Sequence, residues 1–203
     1  MKLYYSPGAC SLSPHIALLE AGLPHDLIKV DLRAKKLENG DDYLSVNPKG
    51  QVPALKLDSG ELVTEGPIIV QMIADKSGKN LAPARDSAER YKLLEWLNFI
   101  TTELHKNIGP MFSPVLKDDA KAFFKDRVMG KFKYLESALA GHDYLMGKQF
   151  TVADGYLFTM LTWADRMKFD LSAMPNLSAY KARVAARPKV QEALTKEGLM
   201  KAA

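Results

Sequence analysis

Four short stretches of this 203-residue chain carry residue types that could do chemistry. The only cysteine, Cys10, lies in "YYSPGACSLSP" (residues 4–14), after a Pro-Gly turn and before Ser-Leu-Ser-Pro, a helix-start pattern. A thiol there meets unpaired N–H groups and the positive end of a helix dipole, both of which favour a thiolate. A lone cysteine is as readily a small buried hydrophobe. Cys10-x-x-Ser13 has the layout of a redox thiol pair whose second cysteine has become serine, so any disulfide must be with another chain or a small thiol.

The second stretch, "NPKGQVPAL" (47–55), puts Val52–Pro53 at the entrance to a strand, where proline cannot donate to the ladder. A cis bond would turn the chain and leave the Val52 N–H and C=O open to a peptide bound as an extra strand. A trans proline at a strand edge is the plainer alternative. The third, "TEGP" (64–67), places Glu65 and Gly66 at a helix N-terminus. Its N–H groups could hold a carboxylate and the Glu65 side chain an ammonium, the two ends of an amino-acid zwitterion. Simple helix capping accounts for the same residues. The fourth is a polar stripe: Asn98, Thr102 and His105 are spaced four and three and share one helix face, which by itself is more often a solvated side.

These residues need elements to position them, and the chain divides by hydrophobic period. In residues 1–78, "KLYYS" reads as a strand and "SPHIALLEAG" as a helix, with Ser13 as N-cap, Pro14 in the first turn and Gly22 past the last. "DLIKVDL" alternates as a half-buried strand, and "VPALKL" and "ELVT" form a hairpin across "DSG". "PIIVQMIADKSG" closes the half as a helix. The order βαβ-ββα predicts an α/β domain with a mixed four-stranded sheet: the first two strands parallel across their crossover helix, the hairpin pair antiparallel. Residues 79–88 read as a linker, and 89–203 as an all-helical domain. In it, residues 89–108 and 118–140 are long helices, and "TVADGYLFTMLTWADRM" opens with Thr151 and Asp154 at capping-box spacing.

Composition sets the outer limits. The net charge is +4, yet 28 basic and 24 acidic residues are interspersed without like-charged blocks, which argues against nucleic acid. "RAKK" (33–36) suits only a small anion or a solvated loop. No apolar run reaches the roughly 18 residues of a membrane span, and "MKLYYSPGAC" lacks a secretory pattern, so a cytoplasmic protein is expected. No His/Cys/Asp cluster has metal-ligand spacing, so no metal is expected.

Taken together, Cys10, "NPKGQVPAL", "TEGP" and "FTVAD" resemble the cytosolic glutathione transferases, over essentially the whole chain. "KLYYSPGACSLSPHI" and "EWLNFITTELHK" are similar to the bacterial beta class, whose mark is a cysteine at this turn. The resemblance implies a thioredoxin-like first domain and an all-α helical bundle that completes an electrophile site and a twofold homodimer interface. It implies glutathione as co-substrate. Glu65 and Gly66 hold its γ-glutamyl end, Val52 and Pro53 its cysteinyl backbone, Lys35 its glycyl carboxylate, and Cys10 faces the thiol. Asn98, Thr102 and His105 lie toward the thiol, and Glu103 toward the neighbouring subunit's glutathione. Gly66 departs from the serine usual in the family, which predicts weaker binding.

The implied reaction is attack of the glutathione thiolate on an electrophilic, hydrophobic carbon. A thiol is only a few per cent ionised at neutral pH, and preferential thiolate binding of about 2.7 kcal/mol would ionise most of it. Donor candidates are His105, the Cys10 thiol and the hydroxyls of Tyr5 and Ser11. Phe112, Trp163 and Met167 are candidates for the electrophile's pocket and equally for plain core. Two alternatives stand beside the transferase: a glutathione-dependent thiol–disulfide oxidoreductase or peroxidase acting through a Cys10 mixed disulfide, and a non-catalytic binding relative.

Overall fold

The computed structural model describes residues 1–201. Two compact units emerge: Met1–Ala82 together with the segment from Arg187 onward, and Pro83–Ala186. The first unit follows the predicted order, with β1 (Lys2–Tyr5), α1 (Leu12–Ala21), β2 (Asp26–Asp31), β3 (Lys36–Leu37), β4 (Ala54–Lys56), β5 (Leu62–Thr64) and α2 (Gly66–Ser77).

The sheet has five strands in the order β3-β2-β1-β4-β5 rather than four. The extra strand is the two-residue β3, antiparallel on β2 through Val30↔Leu37 and Asp31↔Lys36. A two-residue strand in a lysine-rich loop has no alternation to betray it. β1 and β2 are parallel and β4–β5 antiparallel, as expected, and β1–β4 is antiparallel as well. Successive strand residues face opposite sides of the sheet, and β1 shows this directly. Tyr4 joins the buried cluster of Val30, Tyr43, Val52 and Ala54. Tyr5 packs toward α1, its ring 6.4 Å from that of His15.

The start of α1 differs from expectation. Its N-cap is Ser11, not Ser13, and the Ser11 side chain caps no helix N–H. Instead its hydroxyl accepts the Ser6 N–H at 3.2 Å and donates to the Ser6 carbonyl at 3.3 Å, closing the 6–11 loop on itself. Ser13 Oγ is buried with no hydrogen-bond partner. The far end of α1 is as the sequence predicts: Gly22 adopts φ 70°, a left-handed cap that glycine takes at least cost.

The second unit is helical: α3 (Ala88–Phe99), a widened π turn (Ile100–His105), α4 (Lys106–Ile108), α5 (Asp118–Ala138), α6 (Val152–Arg166) and α7 (Pro175–Ala185). The long helix expected over 89–108 is therefore interrupted at the stripe of candidate residues. The wide turn leaves carbonyls exposed to side chains, and Asn107 Nδ2 donates to those of Thr102 (3.0 Å) and Glu103 (2.9 Å). The capping signal of α6 is realised at full burial. Asp154 accepts from the Thr151 N–H (2.8 Å), Thr151 hydroxyl (3.0 Å), Leu145 N–H (2.9 Å) and Tyr180 hydroxyl (2.9 Å).

α8 (Pro188–Lys196) groups with the first unit. Arg187 explains part of the attachment, since it grips Glu20 of α1 with two guanidinium contacts at 2.7 and 2.9 Å. Among the described residues, no helix is long and apolar enough to cross a membrane.

Candidate active site

Cys10 sits two residues ahead of α1 in a loop whose conformation is fixed from several sides. Gly8 turns it with φ 67°, and the Ala9 N–H donates to the Ser6 carbonyl at 3.0 Å. The Gly8 N–H donates to Glu197 Oε2 at 2.8 Å, and Glu197 Oε1 meets His15 Nδ1 at 2.8 Å. The Glu197 and His15 side chains are wholly buried. The last residues of the first unit thus clamp the loop that carries its only thiol. Nothing in local sequence joins residue 197 to residue 8, and sequence reasoning missed the clamp.

The Cys10 thiol is half-buried and donates to the Val52 carbonyl at 3.1 Å. The Val52–Pro53 bond is cis, the first of the two alternatives the sequence left open, and neither residue belongs to a strand, since β4 begins at Ala54. The turn ahead of it is built by Asn47, which is buried. Its Oδ1 accepts the Lys49 N–H at 3.2 Å and its Nδ2 donates to the Gln51 carbonyl at 2.8 Å, which the Tyr43 hydroxyl also reaches at 2.8 Å. Gly50 adopts φ 61°, which glycine takes at least cost, and a Cβ there would lie 3.0 Å from Leu44 Cδ2. Lys35, itself at φ 57°, donates from Nζ to the Gly50 carbonyl at 2.7 Å.

Glu65 is the N-cap of α2 with φ 67° and ψ 111°, a conformation that non-glycine residues hold only under constraint and that clusters at ligand clamps. Its carbonyl accepts the Ile68 and Ile69 N–H groups, each at 3.0 Å. Its carboxylate is engaged by Lys49, 2.7 Å from Nζ, and the same ammonium donates to Thr64 Oγ1 at 3.0 Å. Lys49 lies inside the quoted "NPKGQVPAL" yet was not among the expected site residues. Cys10, Lys35, Val52, Pro53, Glu65 and Gly66 all lie in the first unit.

Tyr5, a donor candidate, is on the opposite sheet face from Val52's cluster, toward His15. Burial and, after it, the Glu197 carboxylate raise its pKa, so it stays a phenol.

In the second unit, Asn98 and Thr102 are exposed and stacked, the Thr102 hydroxyl donating to the Asn98 carbonyl at 3.1 Å. The π turn swings His105 onto α6, where its Nδ1 is 2.6 Å from the Tyr156 hydroxyl and its ring stands edge-on to Trp163 at 5.0 Å. A phenol is a stronger acid than a neutral imidazole N–H, so for a neutral ring Tyr156 is the natural donor, which assigns the His105 proton to Nε2. Phe112 packs against Trp163 at 5.2 Å, so these two candidates do meet. Glu103 pairs with Lys131 of α5 at 2.8 Å, and that hydrogen bond holds its carboxyl below the usual carboxylate range. A groove of about 570 Å³ lies alongside, lined by Lys92, Trp96, Phe99, Lys131 and Tyr134.

Comparisons with known proteins place the chain in a family. Residues 8–76 match the glutathione S-transferase N-terminal domain family, and residues 102–197 the glutathione S-transferase C-terminal domain family. The chain is 49% identical to "Glutathione S-transferase GstA" of Escherichia coli O157:H7 over 201 residues, covering 98% of this chain and all of that one. Among solved structures, the bacterial beta class glutathione S-transferase of Sphingomonas chungbukensis is 49% identical with a TM-score of 0.95. A sphingomonad glutathione S-transferase complexed with glutathione is 49% identical with a TM-score of 0.93. In each case 98% of this chain and all of the other is covered. With both family models matched and relatives of 49% identity over nearly its whole length, the chain belongs to the glutathione S-transferase family, among the bacterial beta-class enzymes.

Proposed function

We propose that the protein joins the glutathione thiolate to small hydrophobic electrophiles, halogenated aromatics among them, as a detoxifying transferase of the cytoplasm. The observation that carries the reading is the Cys10 thiol lying 3.1 Å from the Val52 carbonyl. Val52 is the residue whose backbone would pair with the cysteinyl unit of glutathione, so the substrate thiol would come to rest beside Cys10. A relative of 49% identity has been crystallised with glutathione, which supports the same ligand here.

In this reading Glu65 takes the γ-glutamyl ammonium, the Gly66 N–H at the α2 N-terminus its carboxylate, and Lys35 the glycyl carboxylate. His105 would present an Nε2–H donor, kept in that tautomer by Tyr156, and stabilise the thiolate as its proton leaves to solvent. The sulfur then forms a bond to the electrophilic carbon and the halide departs with its bonding pair. By the family resemblance, Asn98 and Thr102 would serve as polar contacts of glutathione, and Phe112 and Trp163, which pack on each other, would contact the electrophile. A twofold homodimer would form through the exposed aromatic groove around Trp96, Phe99 and Tyr134, bringing Glu103 toward the partner's ligand.

Incubation with glutathione and an activated aryl chloride, followed by mass spectrometry, tests the reaction. A thioether above the uncatalysed rate is expected. A second reading, thiol–disulfide exchange or peroxide reduction through a Cys10–glutathione mixed disulfide, is favoured by the half-buried thiol at a helix N-terminus. Oxidised glutathione or a Cys10 adduct without thioether would replace the first reading with the second. Cys10→Ala should spare conjugation and abolish exchange.

A further inference from the structure

We propose that Lys49 is a specificity-determining residue of the γ-glutamyl subsite: it holds the Glu65 carboxylate in the empty site and takes the ligand's α-carboxylate when Glu65 turns to the α-ammonium. The proposal rests on reading Glu65 and Gly66 as that subsite.

A lysine–glutamate pair is the charge complement of an amino-acid zwitterion. The Lys49 Nζ to Glu65 Oε1 contact of 2.7 Å places an ammonium and a carboxylate side by side, in the arrangement an incoming α-amino acid would present in reverse. Binding then replaces one ion pair by two without leaving a charge unpaired. The opening step is easy, because the two side chains are 53% and 62% exposed and such surface pairs are weakly held.

The backbones do not have to move. Lys49 is fixed through the Asn47 side chain and the Gly50 turn, and Glu65 through the two N–H groups of α2 that its carbonyl accepts. Only the side chains swing. The ammonium also stands at the N-terminal end of a 12-residue helix, where the dipole already favours an anion, so the two fields add. Gly66 contributes no hydroxyl, which leaves the α-carboxylate with backbone N–H groups and this lysine. The other cation of the region, Lys35, is directed to the Gly50 carbonyl and has a separate task.

Calorimetric titration of wild type and Lys49→Met with three ligands decides the matter: glutathione, its 4-aminobutanoyl-Cys-Gly analogue lacking the α-carboxylate, and glutaryl-Cys-Gly lacking the α-ammonium. The variant should bind glutathione roughly five- to tenfold more weakly, as for loss of one charged hydrogen bond at an exposed site. It should bind the 4-aminobutanoyl analogue as tightly as wild type or tighter, since no ligand carboxylate re-pairs Lys49 there, while glutaryl-Cys-Gly, which keeps the carboxylate, should bind more weakly than to wild type. Unchanged or tighter glutathione binding overturns the proposal and makes Lys49 a mere competitor for Glu65. Equal losses for all three ligands overturn it as well, by assigning Lys49 a structural part. If wild type binds none of the three, the glutathione subsite itself fails, an outcome separable from failure of the Lys49 role.

Discussion

Replacing Gly66 by serine, the residue usual in the family, should tighten glutathione binding. The position is the first residue of α2, and its φ lies outside the left-handed region that would demand glycine. A Cβ built there meets only Pro53 Cγ, at 3.8 Å, an ordinary van der Waals distance. The side chain therefore enters without displacing anything. Two effects follow, and they can be separated. Removing a glycine narrows the unfolded ensemble, worth about 0.4–1 kcal/mol of stability whatever the new side chain does. The hydroxyl adds one hydrogen bond to a charged carboxylate; at a partly solvated helix end about 1–1.4 kcal/mol applies, or roughly five- to tenfold in Kd. Gly66→Ala isolates the first effect, since it brings the Cβ without the hydroxyl. Calorimetry should show Gly66→Ser tightening glutathione by that factor and Gly66→Ala changing it less than about twofold, with both variants melting slightly higher. Because the contact is remote from the sulfur and equal in ground and transition states, KM should fall while kcat stays put. If the two variants shift Kd equally, or serine weakens binding in a protein that still melts cooperatively, the carboxylate does not lie over the α2 N-terminus and the placement of the whole γ-glutamyl end is wrong.

Three further outcomes follow from particular contacts. Glu197→Ala strands a buried histidine whose Nε2 already lacks a partner, together with the Gly8 N–H. Loss of about 3–5 kcal/mol is expected, and thermal denaturation should show a drop of roughly 10 °C; a drop below about 2 °C would remove the clamp from the account of loop rigidity. Tyr156→Phe deletes the donor to His105 Nδ1, so nitrogen-15 NMR should show the neutral ring moving from the Nε2–H form toward the mixture of tautomers usual in water; an unchanged ring would mean that Tyr156 does not set it. Lys189 and Lys196 hold the Glu192 carboxyl down to about 2. The folded pKa is depressed, so the stabilisation, reduced by solvent screening at this exposed site, is present above the ordinary carboxylate range. It is lost as the pH falls toward 2, and a carboxyl NMR titration should find Glu192 among the last to protonate.

What the sequence disclosed and what it withheld divide along a physical line. Features governed by neighbours in the chain were legible: the βαβ-ββα order, the Gly22 cap, the Thr151–Asp154 capping signal and the grouping of Cys10, Val52, Glu65 and Gly66 near helix and strand ends. Each is set by backbone preferences that act over a few residues, which is why a local pattern suffices. The Ser13 cap went astray within that same range: Ser11 satisfies its hydroxyl twice on Ser6 and the helix begins two residues early. Contacts between distant residues left no such trace. Glu197 reaches Gly8 and His15, Arg187 reaches Glu20, and Tyr156 reaches His105, each across more than fifty positions, and nothing in the local pattern distinguishes these residues from others of their type. The π turn belongs to the same class. Its extra residue per turn is tolerated because Asn107 closes the freed carbonyls and because His105 gains Tyr156 and Trp163, neither of which hydrophobic period can report. The division has a consequence for function. The groups proposed to hold the ligand in the first unit are placed by local backbone geometry, whereas the His105–Tyr156 contact and the Glu197 clamp on the Cys10 loop are long-range. Substitutions at the former should change affinity, and substitutions at the latter should change rate and stability with affinity largely kept.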